Sequence, residues 1–107
     1  MTPRAVLDRF FVERLRSEHS RRGYRDDWRK FCDWLHARRV AVLAAAPMDV
    51  RDYILGLERA GKGVAVRRRS LSVIRAIYGA LTVEGLVAHN PAREVRNPHS
   101  TILSESL

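Results

Sequence analysis

The chain has one cysteine, Cys32, so no internal disulfide can form, and a reducing cytoplasm is the expected compartment. Cys32 falls among apolar residues in a helical pattern and reads as a small core filler. No apolar run approaches the roughly 20 residues that a bilayer span needs. Charges every few residues from Met1 to Leu15 leave no core for a signal peptide. The four histidines, His19, His36, His89 and His99, are scattered, with no Cys or carboxylate at ligand spacing, which argues against a zinc site. No Gly-rich phosphate loop follows a strand, because no segment alternates as a strand does, and Ser70 and Ser72 have no base near them. A self-sufficient active site is therefore not expected, and no cofactor is implied.

What is present is positive charge. The 107 residues form a single domain, long enough to bury a modest core without metals or disulfides, and carry a formal net charge of +8. Two segments hold the excess: residues 20–39 have 7 Lys or Arg against 3 acids, and residues 61–80 have 5 against none. Of the 20 cations 18 are Arg, whose planar fork suits phosphates and guanine edges. A solvated helix face usually mixes signs to gain pairs at four-residue spacing, so an acid-free cationic stretch calls for an anionic partner.

The rest of the chain is organised around residues 62–78. Gly61 and Gly63 release the preceding helix, after which Leu71, Ile74, Ile77, Tyr78 and Leu81 recur at the three-and-four spacing of one buried helical face. Lys62, Ala65, Arg69, Ser72 and Ala76 fall opposite, flanked by Arg68 and Arg75. This helix is expected over residues 64–83, stopping at Gly85. Upstream, Thr2 caps a first helix with Pro3 in its first turn and Val6, Leu7, Phe10, Phe11 and Leu15 as its stripe, running to about Ser17. Ser20 caps a second, in which Tyr24, Trp28, Phe31, Cys32 and Leu35 share a face as far as Arg39. Gly23 within it suggests close approach of another backbone. Residues 40–46 form a short apolar connector. Pro47 opens a third helix with Val50, Ile54 and Leu57 inward and Asp49 and Asp52 at its positive end. Asn90-Pro91 breaks the chain, and residues 98–107 read as an extended tail.

The order Ser20, Tyr24, Trp28, Phe31, Leu35, then Val50, Ile54, Leu57, then Leu71, Ser72, Ile74, Arg75, Tyr78, then Asn90-Pro91 resembles the N-terminal core-binding, SAM-like domain of tyrosine recombinases, the phage-integrase and Xer-like family. The resemblance covers residues 1–98. It implies an all-α domain over residues 1–97, a four-helix bundle of two crossed helical hairpins, with residues 98–107 starting an interdomain linker. It further implies a C-shaped clamp in which this domain and a separate catalytic domain grip opposite sides of duplex DNA. Strand cleavage by a tyrosine belongs to that second domain, so the chain by itself is not expected to be an enzyme. With the first helix beginning at Thr2, no upstream arm-site-binding domain is expected. The family's usual hydroxyl near the start of the last helix is replaced by Val64-Ala65-Val66.

Both lines of reasoning select the same candidate DNA contacts: Ser20, Arg21, Arg22 and Arg25 from the second helix, and Lys62, Arg67, Arg68, Arg69, Ser72 and Arg75 from the fourth. Most should touch phosphate and set position, with one or two Arg reading guanine edges. Tyr24 and Tyr78 lie on apolar faces and read as core, not as nucleophiles. The expected partners are double-stranded DNA and, once on DNA, other protomers; the free domain is expected to be a monomer with no membrane role. Two alternatives remain at this point. One is a helical protein-interaction bundle that buries the double-Phe stripe in a partner. The other is a helix-turn-helix regulator, although here a whole acidic-leaning helix separates the basic segments.

Overall fold

The computed structural model describes residues 2–15 and 17–97. Four helices follow in order, α1 (Pro3–Arg14), α2 (Glu18–Ala37), α3 (Pro47–Arg59) and α4 (Val64–Val83), with a short 3-10 turn at Val42–Ala44 between α2 and α3. No strand occurs among the described residues.

Local chemistry fixes most of the helix ends. Thr2 accepts the Ala5 N–H at 3.1 Å, and Pro3 occupies the first turn of α1, where its missing N–H leaves nothing unpaired. At α3, Pro47 plays the same part and Asp49 accepts the Ala46 N–H at 2.8 Å. The start of α2 differs from the expectation. Its cap is Ser17, three residues before Ser20: the Ser17 hydroxyl accepts the Ser20 N–H at 3.0 Å and donates to the Ser20 Oγ at 2.8 Å. The earlier start lets Arg21 reach back, its Nε donating to the Leu15 and Phe11 carbonyls at 2.7 and 3.1 Å. Those carbonyls belong to the end of α1, so α1 stops at Arg14 and the two helices share one tight corner.

The C-termini of α2, α3 and α4 close alike. A residue in the left-handed region follows each cap: Arg39 at φ 60°, Gly61 at 84° and Gly85 at 75°. The next N–H then returns to a carbonyl inside the helix, Val40 to Leu35, Lys62 to Leu57 and Leu86 to Leu81, at 2.9, 2.9 and 3.0 Å. Glycine adopts this backbone without strain; Arg39 adopts it in spite of its Cβ.

α4 packs against all three other helices, and α2 also packs against α3. Leu71, Ile74, Ile77, Tyr78 and Leu81 are all buried, as the spacing required, and Val73 joins them. Trp28, Phe31, Tyr53 and Tyr78 fill the centre with ring centroids 5.1 to 6.2 Å apart in tilted and edge-on pairs. Phe10 and Phe11 are buried as well, so the widened stripe of α1 is part of the core. Gly23 meets nothing: a Cβ added there would find no atom within 4 Å, and the close backbone approach that it suggested is not present among the described residues.

Beyond Gly85 the chain does more than break. Asn90 donates to the Arg75 carbonyl and accepts the Ala92 N–H, each at 2.9 Å. In return Arg75 donates from Nε to the Ala92 carbonyl at 3.2 Å and from a terminal nitrogen to the Val95 carbonyl at 2.7 Å. Ala92 and Val95 are buried by this reciprocal clasp, which lays residues 90–97 back along α4. The expected tail at 98–107 lies outside the described residues.

Candidate nucleic-acid interface

The ten residues singled out in the sequence separate into groups once their neighbours are known. Arg67 is inside: it is 5% exposed, and its guanidinium donates to the Lys62 carbonyl at 3.2 Å, Asn97 Oδ1 at 3.1 Å and Glu58 Oε2 at 3.4 Å. It ties the α3–α4 turn to the returning segment, and an external phosphate cannot reach it without breaking those bonds. Arg21 is half-buried on the end of α1. Arg69 reaches α2, pairing with the buried Asp27 at 2.9 and 3.4 Å, while its own side chain stays 60% exposed. Arg75 is held by carbonyls rather than by an acid, as just described.

The remainder face solvent. Arg22, Lys62, Arg68 and Ser72 are exposed, and their side chains make no hydrogen bond or ion pair among the described residues. Ser20 is exposed beside Ser17. Arg25 lies over the Phe11 ring, 4.9 Å from its centroid, an arrangement that orients the guanidinium yet leaves its N–H groups available.

Three of the α4 residues come together with one that sequence reasoning missed. Arg68, Ser72 and Arg75 stand at four- and three-residue steps on one side of α4, and with Leu71 they line an open cleft of about 330 Å³ whose other wall is Arg96 and Asn97. No acidic side chain lines it. Arg96 makes no ion pair or hydrogen bond among the described residues. It escaped notice because it follows a helix breaker in a stretch without charge excess. Asn90 was the available signal, since an Asn can turn the chain by bonding two residues on, but its spacing does not say where the chain returns.

Tyr53 and Tyr78 lie in the core. The Tyr78 hydroxyl is fully buried and donates to the Val42 carbonyl at 2.7 Å, and burial pushes its pKa well above the ordinary phenol value. Burial likewise pushes Tyr53 up to about 12 and the Cys32 thiol up to about 11. Tyr24 is half-buried beside Phe10, ring centroids 6.3 Å apart. Among the described residues no three His, Cys, Asp or Glu come together to hold a metal ion, and no helix is long and apolar enough to cross a membrane.

Fold and site together define an all-helical domain in which Arg68 on α4, Lys62 just before it and Arg22 on α2 are exposed and without a partner among the described residues. The chain belongs to the family described as phage integrase, N-terminal SAM-like domain, whose model matches residues 7–85. It is 32% identical over 97 residues to the tyrosine recombinase XerD of Chlorobaculum tepidum, an alignment covering 91% of this chain and 32% of that protein. It is 32% identical over 94 residues to the tyrosine recombinase XerC of Pseudomonas fluorescens, covering 82% of this chain and 31% of the relative. A XerC of Pseudomonas putida is 33% identical over 87 residues, with 80% and 29% covered. The chain thus spans about a third of the length of the curated relatives it matches. No solved structure matches it.

Proposed function

We propose that this domain binds duplex DNA as the core-site clamp of a site-specific tyrosine recombinase, acting in DNA integration and recombination. The observation that carries the reading is the division of its cations. Arg67, Arg69 and Arg75 are bonded to groups of the fold itself, yet Lys62, Arg68 and Arg96 on and beside α4, and Arg22 on α2, are exposed without acidic partners. Unbalanced arginines held on a rigid helix suit phosphate contacts, which set position and register on the duplex, and a guanidinium near a groove can add a guanine contact. Family membership and the XerC and XerD relatives make DNA the anion of choice.

Strand cleavage, on this reading, belongs to a part of such recombinases beyond the stretch aligned here, and these residues contribute affinity and register only. Free in solution the domain is a monomer; protomers meet on DNA. Burial of Phe10 and Phe11 removes the apolar stripe that a protein-interaction bundle would have offered. Fluorescence anisotropy of the 107-residue chain with a short duplex at low and moderate salt tests the reading. Affinity should fall steeply with salt, because each phosphate contact releases condensed counterions. Absence of binding at low salt would refute it. Light scattering should give a monomer without DNA; a tight dimer would refute that part.

A further inference from the structure

We infer that the cleft between α4 and the returning segment is a seat for one backbone phosphate, gripped jointly by Arg68, Ser72 and Arg96, with Arg75 as the positioning residue that builds it. This deepens the DNA-binding reading and rests on it. Arg75 cannot be the principal ligand, because Nε and a terminal nitrogen already serve the Ala92 and Val95 carbonyls. Those same bonds bring the chain back so that Arg96 faces Arg68 across the cleft, 28 positions apart in sequence. Arg68, Ser72 and Arg96 are exposed and have no partner among the described residues, and nothing acidic lines the walls. Two guanidinium groups and a hydroxyl lining one cleft supply donors of the kind that a phosphodiester's oxygens accept. A cleft of about 330 Å³ has room for a phosphate. It also makes the register of the domain on DNA depend on the segment by which the chain leaves the bundle.

The salt dependence of duplex binding distinguishes one shared phosphate from two separate ones. Each phosphate neutralised contributes about 0.9 to the slope of log K against log salt. Arg68→Ala and Arg96→Ala should each weaken binding roughly tenfold. The double variant should lose about 0.9 from the slope, the value for one phosphate, rather than about 1.8. Both substitutions are of exposed side chains, so thermal unfolding should remain unchanged and certify the fold. For Arg75, the informative variant is Arg75→Lys in an Arg96→Ala background. If Arg75 acts only by placing Arg96, the added change leaves the slope where Arg96→Ala put it. A slope loss near 1.8 in the Arg68/Arg96 double variant would overturn the shared seat, as would wild-type affinity in Arg96→Ala, and in either case DNA binding itself would stand. If the wild-type chain fails to bind duplex at low salt, the DNA reading falls, and this inference with it.

Discussion

Replacing Arg67 by Met offers the sharpest separation between a cation that serves DNA and one that serves the fold. Met matches the length of the arginine stem and removes only the guanidinium. Among the described residues three acceptors then lose a donor: the Lys62 carbonyl, Asn97 Oδ1 and Glu58 Oε2. Glu58 is 35% exposed at its side chain and its bond is long at 3.4 Å, so water compensates most of that loss. The other two are shorter and half-buried, and Asn97 keeps its own bond to the Val64 carbonyl at 3.2 Å. At about 1.5 kcal/mol for each bond from a charged donor, less the gain from a buried thioether, the net cost is about 2 kcal/mol. For a domain of this size that lowers Tm by roughly 8 to 16 °C. Urea denaturation followed by circular dichroism measures it, and the slope with denaturant should not change. Arg67→Lys should fall between, since an ammonium keeps the charge but cannot span three acceptors. A loss below about 0.5 kcal/mol, accompanied by a drop in DNA affinity, would refute the assignment and return Arg67 to the DNA face.

Four further outcomes follow from the same geometry. Arg69→Ala should cost about 1 to 2 kcal/mol, discounted for the exposure of Arg69, because it strands the buried Asp27 carboxylate; in an Asp27→Asn background the cost should largely vanish in a urea-denaturation cycle. Tyr78→Phe removes the shorter of two hydrogen bonds to the Val42 carbonyl, leaving the Ala45 N–H at 3.4 Å, and should lose about 1 kcal/mol while DNA affinity by anisotropy stays the same; loss of binding by a folded variant would contradict its place in the core. Gly23→Ala should raise stability by about 1 kcal/mol in the same denaturation assay, as the space is open and Ala is the better helix former; a loss of stability would be inconsistent with that open space. Alkali should destabilise the domain through half-buried Cys32 and buried Tyr53, with the more strongly raised Tyr78 adding to the loss. Cys32 is raised from 9.0 to about 11 and Tyr53 from 10.0 to about 12, so below pH 9 both are protonated folded or unfolded and contribute no pH dependence. As the pH climbs from 9 towards 12 the unfolded chain releases these protons first, and stability falls across that window. Cys32→Ala should flatten its lower part; a profile unchanged by that substitution would refute the Cys32 share.

How much of this was legible in the sequence depends on the range of the interaction. The buried face of α4 was plain, because Leu71, Ile74, Ile77, Tyr78 and Leu81 obey the helical repeat and tertiary packing had only to agree with it. Thr2, Pro47, Gly61 and Gly85 marked helix ends by chemistry that acts within a turn. Ser17 and Ser20 are equally good caps locally, and a contact ten residues long, Arg21 to the Phe11 carbonyl, accompanies the earlier one. Arg67 was legible in principle. It stands four residues before Leu71 and seven before Ile74, on the buried face itself, but an arginine opening a run of three reads as surface unless its phase is followed strictly. The partners of Arg69 and Arg75 lie 42 and 17 to 20 residues away, and no local pattern announces them.

These long-range partners change the meaning of an acid-free helix. Residues 61–80 carry five cations and no acid, and by composition alone each would be offered to an anion. In the fold, Glu58 at the end of α3, Asp27 on α2 and the carbonyls of Ala92 and Val95 supply the missing negative ends, so three of the five hold the bundle together. Lys62 and Arg68 remain, and the clasp at Asn90 adds Arg96 from outside the helix. The same arginine-rich stretch therefore divides between residues bonded within the fold and, on the proposed reading, residues left for DNA. Engaged cations fix the orientation of α4 and the course of residues 90–97; free ones present charge from the frame so fixed. On the proposed DNA-binding reading, a rigid frame lowers the ordering cost of each phosphate contact, because the helix and the returning segment need not be organised again on binding.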